Sequence, residues 1–124
     1  MRILLAEDER NFGRVLEVEL SDIGHEVDLV ADGVEAVLRV IDRAYDFALL
    51  DIKMPRLDGI NALRIIKRLR PELTAITYSG NAGSGEMAES IRAGAVRCLT
   101  KPLAIAQLRE EIEHHAARRR GGAR

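Results

Sequence analysis

Five short apolar runs, each closed by a charged or hydroxyl residue, alternate with five segments of helical period along this chain. That alternation admits few folds. Strands separated by helices pair in parallel and bury both sheet faces under those helices. The expected strands are Arg2–Ala6, Glu26–Ala31, Asp46–Asp51, Thr74–Ser79 and Val96–Thr100. The first helix is expected over Asn11–Asp22, with Phe12, Leu16, Leu20 and Ile23 on one stripe and Gly24 as its stop. Asp32 is placed to cap the second, where Val34, Val37, Leu38 and Ile41 fall at i, i+3, i+4 and i+7. The third spans Gly59–Arg70 with Ala62, Ile65, Ile66 and Leu69 inward, and Pro71 stops it. Short Glu86–Ala93 ends at Gly94, and Ile105–Arg118 presents Ile105, Leu108 and Ile112 to the sheet.

Right-handed crossovers leave a five-stranded doubly wound α/β sheet in the order 2-1-3-4-5, with five helices on two faces, as the favoured topology. Its ligand crevice lies beyond the carboxyl ends of the strands, at the switch between the first and third. The chain has 124 residues, enough for one domain and no second. Residues 1–118 are read as that domain, and 119–124, with the end of the Arg118-Arg119-Arg120 run, as a flexible basic tail or the start of a linker. Net charge is −1, against a whole-surface nucleic-acid or membrane binder. One cysteine forms no internal disulfide, no signal peptide is seen, and no apolar run approaches a membrane span. A cytoplasmic protein is expected.

The strand ends carry the chemistry. Glu7-Asp8 follows the first strand, Asp51 ends the third, Ser79 ends the fourth and Lys101-Pro102 follows the fifth. Three carboxylates at one sheet edge are unfavourable without a cation. An oxygen-only donor set selects a hard ion, and Mg²⁺ fits best. The backbone carbonyl of Lys53 is placed to complete the set. Asp51 can attack phosphorus and form an acyl phosphate, Lys101 can contact a phosphoryl oxygen as a point charge, and the Ser79 hydroxyl can donate to another. Gly80, Gly83 and Gly85 make the following loop pliable. The Lys101–Pro102 bond is expected to be trans, since only about 5–6% of X–Pro bonds in folded proteins are cis.

These residues together resemble the receiver domains of two-component response regulators, over about residues 1–118. The resemblance rests on Glu7-Asp8, on Asp51-x-x-Met54-Pro55-x-x-Asp58-Gly59, on Ser79-Gly80 and on Lys101-Pro102, in the family's order and intervals. It implies the flavodoxin-like fold and a phosphoryl group accepted on Asp51 from a sensor histidine kinase. It implies direct Mg²⁺ ligation by Asp8, Asp51 and the Lys53 carbonyl, with Glu7 acting through water. Ser79 and Lys101 would read the phosphate and shift the face made by the fourth helix, fifth strand and fifth helix. That face would serve an output domain or downstream protein, or a homodimer contact; no nucleic-acid or membrane contact is implied for the domain itself. One position departs. The family usually carries a switch Tyr or Phe three residues before the lysine, where this chain has Cys98.

Other readings compete. An aspartate-nucleophile phosphohydrolase of the haloacid-dehalogenase type needs a second aspartate as general acid, and that position is Lys53. A flavodoxin-like electron carrier would place a flavin phosphate against Glu7-Asp8-Glu9, which repels it. A receiver-like scaffold unresponsive to phosphate is motivated by Cys98 alone. Asp58 reads as a helix cap, Cys98 as a core side chain rather than a reactive thiol, and His25, His114 and His115 as surface residues.

Overall fold

The computed structural model describes residues 1–80 and 85–122, with side chains described as far as residue 117. The strands are β1 (Arg2–Ala6), β2 (Glu26–Val30), β3 (Phe47–Asp51), β4 (Thr74–Ser79) and β5 (Arg97–Thr100). The helices are α1 (Arg10–Asp22), α2 (Gly33–Asp42), α3 (Gly59–Leu69), α4 (Glu86–Ala93) and α5 (Ile105–Gly122). All strand pairs are parallel and the sheet order is β2-β1-β3-β4-β5, as expected.

Period-two alternation sorts the core into two layers. Ile3 and Leu5 of β1, with Phe47 and Leu49 of β3, meet Leu16 and Leu20 of α1 and Leu108 and Ile112 of α5. Leu4, Ala6, Ala48 and Leu50 point the other way, onto Ala36 and Val40 of α2 and Leu63 and Ile66 of α3. Helix starts follow local chemistry. Glu9 accepts from the amides of Asn11 and Phe12, Asp32 from Glu35, and Asp58 from Asn61. Gly94, at φ 118°, closes α4.

Two helices are turned relative to the sequence expectation. In α2 the inner residues are Gly33, Ala36 and Val40, with Val37 partly packed, while Leu38 and Ile41 face out at 54% exposure each. In α3 the inner residues are Ile60, Ala62, Leu63 and Ile66, and Ile65 and Leu69 are exposed. Backbone contact sets the phase. A Cβ on Gly33 would lie 2.1 Å from the carbonyl oxygen of Leu57, and one on Gly59 2.2 Å from that of Asp51. Each helix is therefore seated glycine-first, and its small residues follow inward. The Lys101–Pro102 bond is cis, not trans; a tertiary amide prefers trans by only about 0.5–1 kcal/mol, little enough for tertiary context to decide. α5 extends to Gly122 instead of Arg118, through residues of good helix propensity with no stop before Gly121.

Candidate functional site

Register builds the site. Ala6 pairs with Leu50, so Glu7 and Asp51 are the next residues out on neighbouring strands. Asp51 pairs with Tyr78, and Ser79 with Thr100, so Ser79 and Lys101 complete the same edge. Glu7, Asp8 and Asp51 each place a carboxylate oxygen within 4.8 Å of the others. Glu7 and Asp51 are buried and Asp8 is exposed. The Lys101 Nζ lies 3.1 Å from Asp51 Oδ2, and the Lys53 amide donates to Asp51 Oδ1 at 3.3 Å. The loop after β3 is fixed by Gly59, whose amide donates to the Ile52 carbonyl at 2.8 Å, and by Arg56, whose Nε donates to Asp32 at 2.8 Å. The Asp58 cap and the Asp51-to-Gly59 block thus hold the loop after Asp51 against α3.

Groups that the sequence reading did not assign to the site also belong to this edge. The Tyr78 hydroxyl donates to Glu7 Oε1 at 2.8 Å, and the Glu9 amide donates to Glu7 Oε2 at 2.9 Å. The Tyr78 and Phe12 rings meet edge-to-face at 6.4 Å and flank the Lys101 ammonium, 5.5 and 6.0 Å from it. The Ser79 hydroxyl donates to the Glu86 carboxylate at the start of α4. The signal for Tyr78 was its place beside Asp51 across two paired strands: a buried phenol needs a polar partner, and strand-end carboxylates supply one. Glu86 offered no such signal, because its contact spans a loop. Of the loop glycines, Gly80 and Gly85 are described, while the expectation for Gly83 lies outside the described residues.

Burial dominates the electrostatics. It lifts the Glu7 carboxyl to about 7, against the pull of the Glu9 amide and the Tyr78 hydroxyl, with the Asp51 charge adding to the rise. Burial also raises Asp51 above the ordinary carboxylate value although Lys101 draws it down. Tyr78 is pushed well above a free phenol by burial and by Glu7. Two buried carboxyls and a third exposed beside them form an all-oxygen donor set that could hold a divalent cation. A cleft of about 670 Å³ opens beside it, lined among others by Asp8, Lys53, Met54, Asn61, Arg64 and Glu86. Cys98 stands apart. It is buried with Ile52 and Ile60 under Ala93, as a core side chain.

Comparison with known proteins settles what this edge belongs to. The family model for the response regulator receiver domain matches residues 3–113. The chain is a response regulator receiver domain. It is 30% identical over 118 residues to the transcriptional regulatory protein ZraR of Salmonella typhimurium, covering 95% of this chain and 27% of that protein. It is 34% identical over 108 residues to the response regulator MprA of Mycobacterium avium, covering 87% and 47%. The chain therefore spans about half or less of these curated relatives. The CheY-like receiver of Methanospirillum hungatei superposes with a TM-score of 0.93 at 27% identity, over 98% of this chain and 97% of that one. The CheY of Borrelia burgdorferi, solved in a complex with CheX, BeF3 and magnesium, superposes at 0.85 with 26% identity, over 90% and 86%. The receiver is a signalling domain of two-component systems, and among its described residues no helix is long and apolar enough to cross a membrane.

Proposed function

We propose that this receiver accepts a phosphoryl group on Asp51 from a sensor histidine kinase, in a Mg²⁺-dependent reaction, and that the modification acts on the α4–β5–α5 face. The observation that carries the reading is a buried carboxylate with an ammonium 3.1 Å away and two further carboxylates beside it. A lone-pair oxygen of Asp51 forms the new O–P bond. The P–N bond of a phosphohistidine breaks, and its electron pair leaves on the imidazole nitrogen. Lys101 stays charged beside the incoming oxygens and balances the negative charge that Asp51 brings. Glu7, Asp8, Asp51 and the Lys53 carbonyl are the groups that would hold the metal, which when bound neutralises the phosphoryl oxygens. The Ser79 hydroxyl, at the end of β4, would donate to a phosphoryl oxygen.

The domain is read as a phosphoacceptor with self-phosphorylation and self-dephosphorylation chemistry, not as a turnover enzyme. Lys53 two residues past the nucleophile cannot act as a general acid at neutral pH, which disfavours a phosphohydrolase. A cytoplasmic location and an output domain or partner protein complete the proposal, with residues 119–124 as a tail or linker start. Incubation with acetyl phosphate and Mg²⁺ should add one phosphoryl group that survives acid and is lost to base or hydroxylamine. Asp51→Asn should abolish it. Labelling that persists in Asp51→Asn would move the site. Sustained, Asp51-dependent turnover of p-nitrophenyl phosphate would favour the phosphohydrolase.

A further inference from the structure

Ser79 ends β4 almost wholly buried, and its hydroxyl already has an anionic acceptor. That acceptor is Glu86, the first residue of α4. Glu86 also lines the cleft that opens past Asp8 and Lys53. A hydroxyl has one proton to donate, so Ser79 cannot give it to Glu86 and to a phosphoryl oxygen together. The bond to a carboxylate is charge-assisted and roughly twice as strong as a neutral one.

We propose that Glu86 is a positioning residue that competes with the aspartyl phosphate for the Ser79 hydroxyl. It stands in for the phosphoryl group before modification, holding Ser79 and the first turn of α4 in one arrangement. This inference rests on the phosphoacceptor reading of Asp51. Once the phosphoryl group is present, Ser79 transfers its hydrogen bond to it, and Glu86 loses its partner. The phosphoryl charge of about −1.5 to −2 then repels the Glu86 carboxylate as well. Among the described residues, the Glu86 side chain is the one first-turn side chain of α4 with a hydrogen bond beyond the helix. Gly85, its N-cap, is at φ 87° and supplies no side-chain hydrogen bond. The signal thus enters α4 through charge and one shared proton, and needs no large side chain at position 98. The plainer role for Glu86 is that of an acidic residue in a helix's first turn, favourable to the helix dipole. That role involves neither Ser79 nor the phosphoryl group.

Beryllofluoride, a phosphoryl mimic, separates the two when titrated at saturating Mg²⁺ and followed by amide NMR. Glu86→Gln keeps the side-chain shape but weakens the competing acceptor. It should bind beryllofluoride about five- to tenfold more tightly than the wild type. Ser79→Ala should bind more weakly, and adding Glu86→Gln to it should give a distinctly smaller gain than in the wild type, from the removed charge alone. Thermal melts without beryllofluoride check that each variant is folded. Equal affinity of Glu86→Gln and wild type overturns the inference. So does an equal gain in the Ser79→Ala background, which would mark a diffuse charge effect. Absence of any Asp51-dependent binding by the wild type overturns the phosphoacceptor reading, and the inference with it.

Discussion

Replacing Glu7 with glutamine should flatten the pH dependence of stability in the metal-free protein. Burial lifts this carboxyl to about 7 from an ordinary 4.5, while the Glu9 amide and Tyr78 hydroxyl resist and Asp51 reinforces the rise. A carboxyl whose folded pKa exceeds its unfolded one holds its proton more tightly in the folded state. Its contribution is therefore complete below 4.5 and is lost as pH rises through 7. The gap between those two values, at about 1.4 kcal/mol per unit, is worth about 3 kcal/mol as an upper figure. For a domain of this size that corresponds to a fall in Tm of about 10 °C. Mg²⁺ acts in the opposite sense, since it requires charged carboxylates, and its stabilisation should grow with pH over the same window. Calorimetric melts with chelator, from about pH 5 to about pH 8, would show the wild type losing up to about 10 °C more than Glu7→Gln. His25, which burial depresses, is present in both proteins and cancels in the difference. Parallel curves for the two proteins, or a wild-type Tm that rises relative to the variant's, would refute the burial argument.

Two further substitutions test the same edge. Tyr78→Phe keeps the ring over Lys101 but removes the donor to Glu7, and should cost about 1–2 kcal/mol above neutral pH in thermal melts and weaken Mg²⁺ binding in a metal titration; unchanged stability and affinity would show that the hydroxyl contributes nothing there. Gly59→Ala would place a Cβ 2.2 Å from the Asp51 carbonyl oxygen, so the loop must move, and denaturant unfolding should show a loss above about 3 kcal/mol; a midpoint within error of the wild type would refute the contact.

Strand order and the identity of the edge residues were legible because both follow from simple periodicities. Strands buried on both faces read as apolar runs, and a charged or hydroxyl residue at the end of each marks where the sheet meets water. The phase of α2 and α3 was not legible from hydrophobic period, since Leu38, Ile41, Ile65 and Leu69 look like inner residues and are outer ones. The deciding signal was the shared Asp-Gly-x-x-Ala pattern at Asp32 and Asp58. Aspartate caps, glycine touches backbone and alanine follows inward, whatever leucines lie elsewhere on the helix. Tyr78 with Glu7 and Ser79 with Glu86 are pairings of side chains across elements, which a linear pattern does not encode.

The same distinction bears on Cys98. Absence of an aromatic there, read along the chain, leaves a receiver without its usual moving part. In three dimensions Cys98 is buried against Ile52, Ile60 and Ala93, and it also lines an open cleft of about 390 Å³ with Met87, Ile91 and Gln107. The aromatic weight lies one strand over, where Tyr78 is buried among α1, α5 and the sheet and is tied to Glu7. A ring anchored by a hydrogen bond to a buried carboxyl is suited to holding the acidic edge in place, and ill suited to swinging. On the proposed reading, motion falls to the Ser79 hydroxyl, the Glu86 carboxylate that accepts from it, and a helix start capped by glycine. α4 packs on α3 and β5, and its outer residues Met87 and Ile91 lie exposed beside Val96. On the proposed reading, a change in its first turn reaches that exposed face through the helix itself, beside the cleft that Cys98 helps to line.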